Sequence, residues 1–334
     1  MYREIATGLG RIVTLSLGGR LGRFGQWPPE KLLIDEPLAL LEERTNRLER
    51  IYAKCTANLW DGPAVFRAAM NRHGGIQLAP EKRRALSHVI VTLMWGELGA
   101  WIISAELAER LDAPDARMAA SSQVFDEARH FYVLRDYLAA LHVPVPKLDP
   151  YFVAGVRSLL ATRDLTIKLM AMQILAEGSA QSIFRFLADS EIEPVLTELL
   201  PYIEQDEARH VGLGVLHLPE RLTELSPRQC RRLQRDVYAI GDMFGLSLIS
   251  KVEHYEALGL DPRELFRRAD GLLTTLAEKL GNVPGTNERY FRTDDPKDPE
   301  YEKKLAFLFP KAEPSGASRL VKSLLSLGSR TLPV

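Results

Sequence analysis

The chain has 334 residues, 46% of them hydrophobic and 26% charged, enough apolar material to bury one large core or two of ordinary size. A formal net charge of −1 gives no electrostatic reason to expect nucleic acid as a partner. Two cysteines, Cys55 and Cys230, fit neither a thiolate zinc site nor a disulfide framework, so a reducing, cytoplasmic setting is expected.

The N-terminal arginines Arg3, Arg11, Arg20 and Arg23 flank an apolar run, Ile12–Leu17, that Thr14 and Ser16 interrupt. That run is too short and polar for a signal peptide, and no stretch approaches eighteen uninterrupted apolar residues. A soluble protein is the expectation. Residues 1–78 combine a Gly/Arg-rich start, a break at Trp27–Pro29, and helical stretches over about 38–57 and 62–75. They read as an extension packed on a bundle formed by the later helices.

From residue 79 the chain becomes regular. Segments starting at Pro80, Pro114, Pro150, Pro194, Pro227 and Pro262 are each expected to be helical, because proline suits the first helical position, where its missing N–H costs nothing. Asp149, Ser226 and Asp261 precede three of these prolines as N-caps. The predicted helices run over 80–111, 114–142, 150–189, 194–218, 227–259 and 262–281, with Pro201 expected to kink or divide the fourth. Connections as short as Asp112-Ala113 force antiparallel neighbours. No strand-like alternation bounded by hairpin turns appears, so the fold class is all-α. Three regions are expected: an extension over 1–78, a bundle over 79–281, and a partly irregular tail over 282–334. The tail ends in an amphipathic stretch, Ser318–Leu327, expected to dock on protein rather than on a membrane.

Within the regular region the pentapeptide Asp-Glu-Ala-Arg-His occurs twice, at Asp126–His130 and Asp206–His210. In each copy a Glu and a His stand three residues apart, on one helix face and about one turn from each other. Thirty residues before each Glu lies another in an apolar stretch: Glu97 in MWGELGAW and Glu177 in ILAEGSAQ. The sets Glu97/Glu127/His130 and Glu177/Glu207/His210 are related by a constant offset of eighty residues. Glu97 and Glu127 both lie about 20 Å from the turn that joins their helices, hence at one height. The second pair of helices repeats that geometry. Burying Glu97 inside VIVTLMWGELGAWII without a partner is expensive, which argues for a cation. Four carboxylates and two imidazoles are enough to hold two metal ions, and they suit iron or manganese better than zinc.

A Glu from each of two helices plus Glu-x-x-His from each of two others resembles the ferritin-like di-metal carboxylate superfamily, over about residues 80–260. The resemblance implies a ferritin-like four-helix bundle with additional N- and C-terminal helices. It implies a cofactor of two Fe ions, with Mn/Fe as a variant, held by Glu97, Glu127, His130, Glu177, Glu207 and His210. The Asp-Glu-x-Arg-His form looks most like the hydroxylase subunits of bacterial multicomponent monooxygenases. By that resemblance Asp126 and Asp206 orient the imidazoles, while Arg129 and Arg209 neutralise the buried acids. Metal-bound histidines independently call for a carboxylate on their other nitrogen.

The resemblance also has departures. Gln181 stands where those hydroxylases usually carry Thr, Leu134 where ribonucleotide reductase small subunits carry a radical Tyr, and Ile203 where arylamine N-oxygenases carry a third His. Trp101, Leu134 and Gln181 are expected to line a substrate pocket, and His142 and His217 to sit at helix C-termini. Asp236 and Asp242 read as surface groups.

The implied function is a di-iron, O2-dependent oxidoreductase, an oxidase or oxygenase such as a monooxygenase. It would oxidise a small organic molecule by hydroxylation, N-oxygenation, desaturation or C–C cleavage. The expected partners are O2, the substrate and an electron-donor protein, with a homodimer compatible with such a bundle, and with neither nucleic acid nor membrane. The alternatives are a ferritin- or rubrerythrin-like storage or peroxide-detoxifying protein and a metal-containing subunit of a larger complex. Against storage, the chain is nearly twice the length of a minimal bundle and has no Cys-x-x-Cys module.

Overall fold

Proline sets where the long helices begin. In a computed structural model, which describes residues 47–309 apart from Arg292, all six expected prolines occupy the first turn of a helix. The helices are α1 (Arg47–Ala57), α2 (Gly62–His73), α3 (Pro80–Arg110), α4 (Pro114–Ala140), α5 (Pro150–Ala161) and α6 (Leu165–Leu169). A π-helical segment, Met170–Ala176, leads into α7 (Glu177–Asp189). Next come α8 (Pro194–Thr223), α9 (Pro227–Ser250), α10 (Val252–Leu258), α11 (Pro262–Leu280) and α12 (Tyr301–Leu308). Among the described residues the only β-type pairing is an isolated bridge between Asn282 and Arg289. The class is all-α. Residues 1–46 and the terminal stretch Ser318–Leu327 lie outside the described residues.

Caps fix the helix starts. Asp149 accepts from Phe152 N at 2.8 Å, Asp261 accepts from Arg263 N at 2.9 Å, and Ser226 forms a reciprocal capping box with Gln229. Glu193 is a cap that composition did not suggest. Fully buried, its carboxylate accepts from Leu196 N at 2.8 Å, from the Tyr137 hydroxyl at 3.0 Å and from Gln77 N at 3.2 Å, tying α8 to α4 and to the lead into α3.

Three predicted helices differ from those observed. The span 150–189 is broken, because Asp164 starts a new helix by accepting from Thr166 N and Ile167 N, and the π segment then widens the coil just before Glu177. The span 227–259 divides at Lys251, whose buried ammonium is engaged by Asp149 and by Ser247 Oγ at 2.8 Å. In contrast α8 runs undivided through Pro201 and Pro219. A proline inside a helix costs about 3 kcal/mol through a lost backbone bond and a ring clash; the fully buried Leu199, Leu200 and Ile203 around Pro201 offset it by packing. His217 therefore lies buried inside α8 rather than at its end, while His142 sits two residues past α4 with a left-handed φ of 52°.

The helices α3 and α4 pack as one antiparallel hairpin, and α7, with the π segment, packs on α8 as the other. Outside them α5 lies against α9 and α3, α11 against α7, α10 against α3, and α1 and α2 against α4 and α8. By length and composition α3 could cross a membrane, but its apolarity is that of a helix enclosed by α4, α5 and α10.

The apolar interior falls into two principal clusters, one at each end of the bundle. One gathers Ile103, Leu107, Ala116, Ala120, Leu169, Met170, Ile174, Leu213, Leu218 and Leu222. The other gathers Val89, Ile90, Leu93, Met94, Leu134, Tyr137, Phe184, Leu199 and Ile203. On α3, α4 and α8 the repeated motif residues fall between them. The bundle is therefore apolar at both ends and polar at its waist.

The π segment packs on α8 at Gly214, where an added Cβ would lie 2.6 Å from Gln173 Cβ and 2.9 Å from Ile174 Cδ1. Helix propensity alone favours Ala over Gly by about 1 kcal/mol, but an overpacked contact costs about 1–3 kcal/mol, so the clash should win. Gly214→Ala is expected to lower the melting temperature of the metal-free protein by a few degrees, measured by circular dichroism. An unchanged or raised melting point would show that the π segment does not press on α8 there.

Candidate metal centre

Six side chains meet at the waist: Glu97 from α3, Glu127 and His130 from α4, Glu177 at the start of α7, and Glu207 and His210 from α8. None is more than 4% exposed. They form two overlapping groups, Glu97/Glu127/His130/Glu207 and Glu127/Glu177/Glu207/His210. In each, one potential ligand atom per residue lies within 4.8 Å of the others.

The shared members show how two ions would be held. His130 Nδ1 faces Glu207 Oε1 at 3.1 Å, Glu97 Oε2 at 3.5 Å and Glu127 Oε2 at 3.6 Å. His210 Nδ1 faces the other oxygens of the same two carboxylates, Glu127 Oε1 and Glu207 Oε2, each at 3.1 Å, with Glu177 Oε1 at 4.0 Å. Glu127 and Glu207 thus present one oxygen to each imidazole, as bridging ligands must. Glu97 and Glu177 each attend one side only.

Three of these atoms decide whether the residues fit a metal pair. His130 Nδ1, Glu127 Oε2 and Glu207 Oε1 are buried and have no hydrogen-bond partner. Unpaired buried polar atoms are costly, and these converge on one point from α4 and α8. Two dications would balance four carboxylates and give each of these atoms a partner. The donor set fits a di-metal centre.

Electrostatics agrees. Burial, reinforced by the charge of Glu207, pushes the carboxyls of Glu97 and Glu177 well above the usual carboxylate range. At Glu127 and Glu207 burial acts in the same direction, but His210 and His130 hold both carboxyls below their ordinary values. Burial would lower both imidazoles; the surrounding carboxylates instead raise them well above the ordinary histidine range. Protons thereby supply, in the metal-free cluster, part of the positive charge that ions would bring.

The outer nitrogens are held by a square of charges. His130 Nε2 lies 3.0 Å from Asp206 Oδ2, and His210 Nε2 lies 3.4 Å from Asp126 Oδ2. Each His therefore meets the Asp of the opposite motif. Arg129 bonds both acids, with Asp206 Oδ2 at 2.7 Å, and Arg209 also bonds both, with Asp126 Oδ2 at 2.9 Å. Burial raises the two aspartates, but His210 and His130 outweigh it at Asp126, and His130, Arg209 and the Trp60 indole outweigh it at Asp206, so both lie below the usual range. A carboxylate on Nε2 keeps the proton there and leaves the Nδ1 lone pair for the waist.

Four further residues complete the surroundings. The Trp60 indole donates to Asp206 Oδ2 at 2.8 Å, and the Cys55 thiol lies 3.5 Å from Asp126 Oδ1. Gln123 Nε2 donates to Glu127 Oε1 at 2.9 Å and to Glu177 Oε1 at 2.7 Å, while Gln173 Nε2 donates to Gln123 Oε1 at 2.8 Å. Gln123 is not among the residues expected from the sequence, although its place one turn before Glu127 on the same helix face is a signal that could have found it. Nothing local pointed to Trp60 or Cys55, which reach the site only because α1 and the start of α2 pack on α4 and α8.

A cavity of about 120 Å³ opens beside Glu97 and Glu177. Its wall is chiefly apolar, with Phe152, Val156, Ile183, Phe244 and Leu248 among its lining. Gly96 and Gly99 hollow the α3 side; a Cβ at Gly99 would lie 3.3 Å from Val156 Cγ1. The residues expected to line a pocket lie elsewhere. Trp101 is 40% exposed on the outer face of α3. Leu134 is buried in the apolar cluster at one end of the bundle and does not line the cavity. Gln181 borders a separate surface hollow with Arg185 and Arg268, and the α7 residues that reach the cavity are Ser179, Ala180 and Ile183. Asp236 pairs with Arg232 and Arg235 on α9, away from the cluster.

No protein-family model matches this chain, and no curated protein sequence does. Solved structures of similar shape exist. A variant of an R2-like ligand-binding oxidase with aerobically reconstituted Mn/Fe cofactor matches with a TM-score of 0.56 at 14% identity, over 71% of this chain and 94% of that one. A variant with anaerobically reconstituted Mn/Fe cofactor matches at 0.57, and one with a non-activated Mn/Mn cofactor also at 0.57, each at 14% identity and the same coverage. The fold is ferritin-like. At such low identity the likeness carries the fold, and the ferritin-like bundle is the frame in which the carboxylate and histidine cluster sits.

Removing one guanidinium from the charge square leaves two buried aspartates sharing a single cation. Arg209→Met is expected to destabilise the metal-free protein by about 3–5 kcal/mol in urea denaturation at pH 7. Adding Asp126→Asn should recover part of that loss. Because the folded aspartates titrate below their unfolded value, the stabilisation they bring is full above about pH 4 and lost as pH falls through the folded values. The penalty of Arg209→Met should therefore shrink at acid pH. A penalty that did not change with pH would indicate lost packing instead.

Proposed function

We propose that this protein is a non-haem di-metal oxidase or oxygenase that uses O2 to oxidise a small, largely apolar organic molecule. One observation carries the reading: a buried centre of four carboxylates and two imidazoles opens onto an apolar cavity through Glu97 and Glu177. A storage site has no use for an apolar chamber at the metal; an oxidant that must meet a substrate and avoid water does. Two iron ions are the proposed occupants, with a manganese–iron pair as the variant that the structurally similar oxidase carries. Bound there, the pair would supply the redox chemistry with O2 that protein side chains lack.

The chain's own residues do the rest. Glu127 and Glu207 would be shared between the two ions, Glu97 with His130 and Glu177 with His210 would complete the two positions, and Asp126 and Asp206 keep each Nε2 protonated so that Nδ1 points inward. Phe152, Val156 and Phe244 exclude water and hold the substrate by apolar contact, so selectivity comes from shape. Reduction would be supplied by an electron-donor protein or by the substrate itself. A cytoplasmic location and a homodimer belong to the same proposal.

Protein produced in iron-replete cells is expected to hold about two metal ions per chain by elemental analysis. After anaerobic reduction it should consume O2. Glu127→Ala, which removes a bridge, should lose most of the metal, while Asp236→Ala on the surface of α9 should keep it. Retention of both ions by Glu127→Ala would contradict the assignment.

A further inference from the structure

The eighty-residue offset that relates the two halves of the cluster can be carried to their surroundings. It maps Glu97 onto Glu177, Glu127 onto Glu207, His130 onto His210, Asp126 onto Asp206 and Arg129 onto Arg209. The same offset maps Gln123 onto Ile203 and Leu93 onto Gln173. The symmetry of the ligands is therefore broken one layer out. An interacting pair of amides stands on one side, and Ile203 and Leu93 hold the corresponding places on the other. Gln123 is 1% exposed and Gln173 0%, as buried as Ile203 at 0% and Leu93 at 8%. Burying two amides where the related positions take hydrocarbon is costly unless they are used.

Their hydrogen bonds say where they act. The Gln123 amide reaches both Glu177, the carboxylate that attends His210 alone, and the Glu127 oxygen that faces His210. Gln173, on the π segment, holds Gln123 in place, and its own Oε1 is left buried without a partner. Among the described residues no hydrogen-bond donor outside the cluster reaches Glu97. The histidines show the opposite bias. Beyond the two arginines that both aspartates share, Asp206, behind His130, receives an indole N–H at 2.8 Å and stands 3.0 Å from the ring; Asp126, behind His210, adds only the weak thiol donor of Cys55 and stands at 3.4 Å. On the His130 side the imidazole is the more firmly held, and Glu97 meets only members of the cluster itself. On the His210 side the carboxylates are fixed.

We propose that Gln123, supported by Gln173, is a positioning residue that makes the two metal positions unequal. By pinning Glu177 and one oxygen of Glu127 it preorganises the His210 position, which binds a divalent cation first and more tightly. Glu97, unpinned and lining the cavity, is left as the adaptable ligand of the His130 position. The inference rests on the di-metal reading and specifies its internal order. It also gives the π segment a role, since the wider coil delivers Gln173 to Gln123 immediately before the chain supplies Glu177.

The test is anaerobic titration of the full-length metal-free chain with Mn(II) alone, followed by electron paramagnetic resonance of the free ion and by calorimetry. Wild-type protein is expected to bind two ions in steps at least about tenfold apart in affinity. His210→Ala should abolish the tighter step and His130→Ala the weaker one, which assigns them. Gln123→Met, close to Gln in volume, should still bind two ions, with the tighter step weakened to within about threefold of the other and the weaker step unchanged. Gln173→Leu should act in the same direction with smaller effect, and it provides the reading if Gln123→Met folds poorly. Two equal steps in the wild type, or unchanged steps in both glutamine variants, would overturn the proposal while leaving the di-metal centre intact. Failure of the wild type to bind Mn(II) would overturn both.

Discussion

Four carboxylates buried within a few ångströms of one another cannot all be ionised without positive charge among them. That constraint governs the waist of this bundle. In the metal-free chain protons answer it, raised onto His130 and His210 and onto Glu97 and Glu177. Two dications answer it better, because they also satisfy the buried nitrogen and oxygens that no hydrogen bond reaches. The aspartates and arginines one layer out form a neutral square, so they orient the imidazoles without adding net charge to the centre.

The rest of the structure isolates that cluster. Apolar clusters above and below the waist keep water from entering along the bundle axis. The cavity between α3, α5, α7 and α9 gives the Glu97 and Glu177 side an apolar outlook. On the opposite side, α1 and α2 cover the aspartates and bring Trp60 and Cys55 to them. One face of the cluster thus looks onto an apolar cavity and the other onto the groups that orient the ligands.

Much of this was legible in the sequence, for physical reasons. Helix starts were readable because proline and a capping side chain act locally. Helix rise and turn position put Glu97 level with Glu127 and Glu177 level with Glu207, and the repeated motif with its di-metal resemblance brought the two sets together. The parts that sequence did not show depend on distant contacts or on departures from regular geometry. The π segment has no signature in the order of residues 170–176. On α7 the face that meets the cavity runs through Ser179, Ala180 and Ile183 beside Glu177, whereas one-turn spacing from Glu177 had suggested Gln181. Pro201 obeyed packing rather than its own preference. Trp60 reaches Asp206 across a separation of 146 residues, beyond any local pattern.

The six side chains so placed at the waist would hold two metal ions, with Glu127 and Glu207 shared between them and one histidine Nδ1 at each. Anomalous diffraction from crystals grown with Fe(II) under anaerobic conditions tests it most directly. Two iron peaks between α4 and α8 are expected, both in contact with Glu127 and Glu207, one beside His130 Nδ1 and the other beside His210 Nδ1. A single peak, coordination through Nε2, or iron bound elsewhere with the waist held together by hydrogen bonds alone would contradict it.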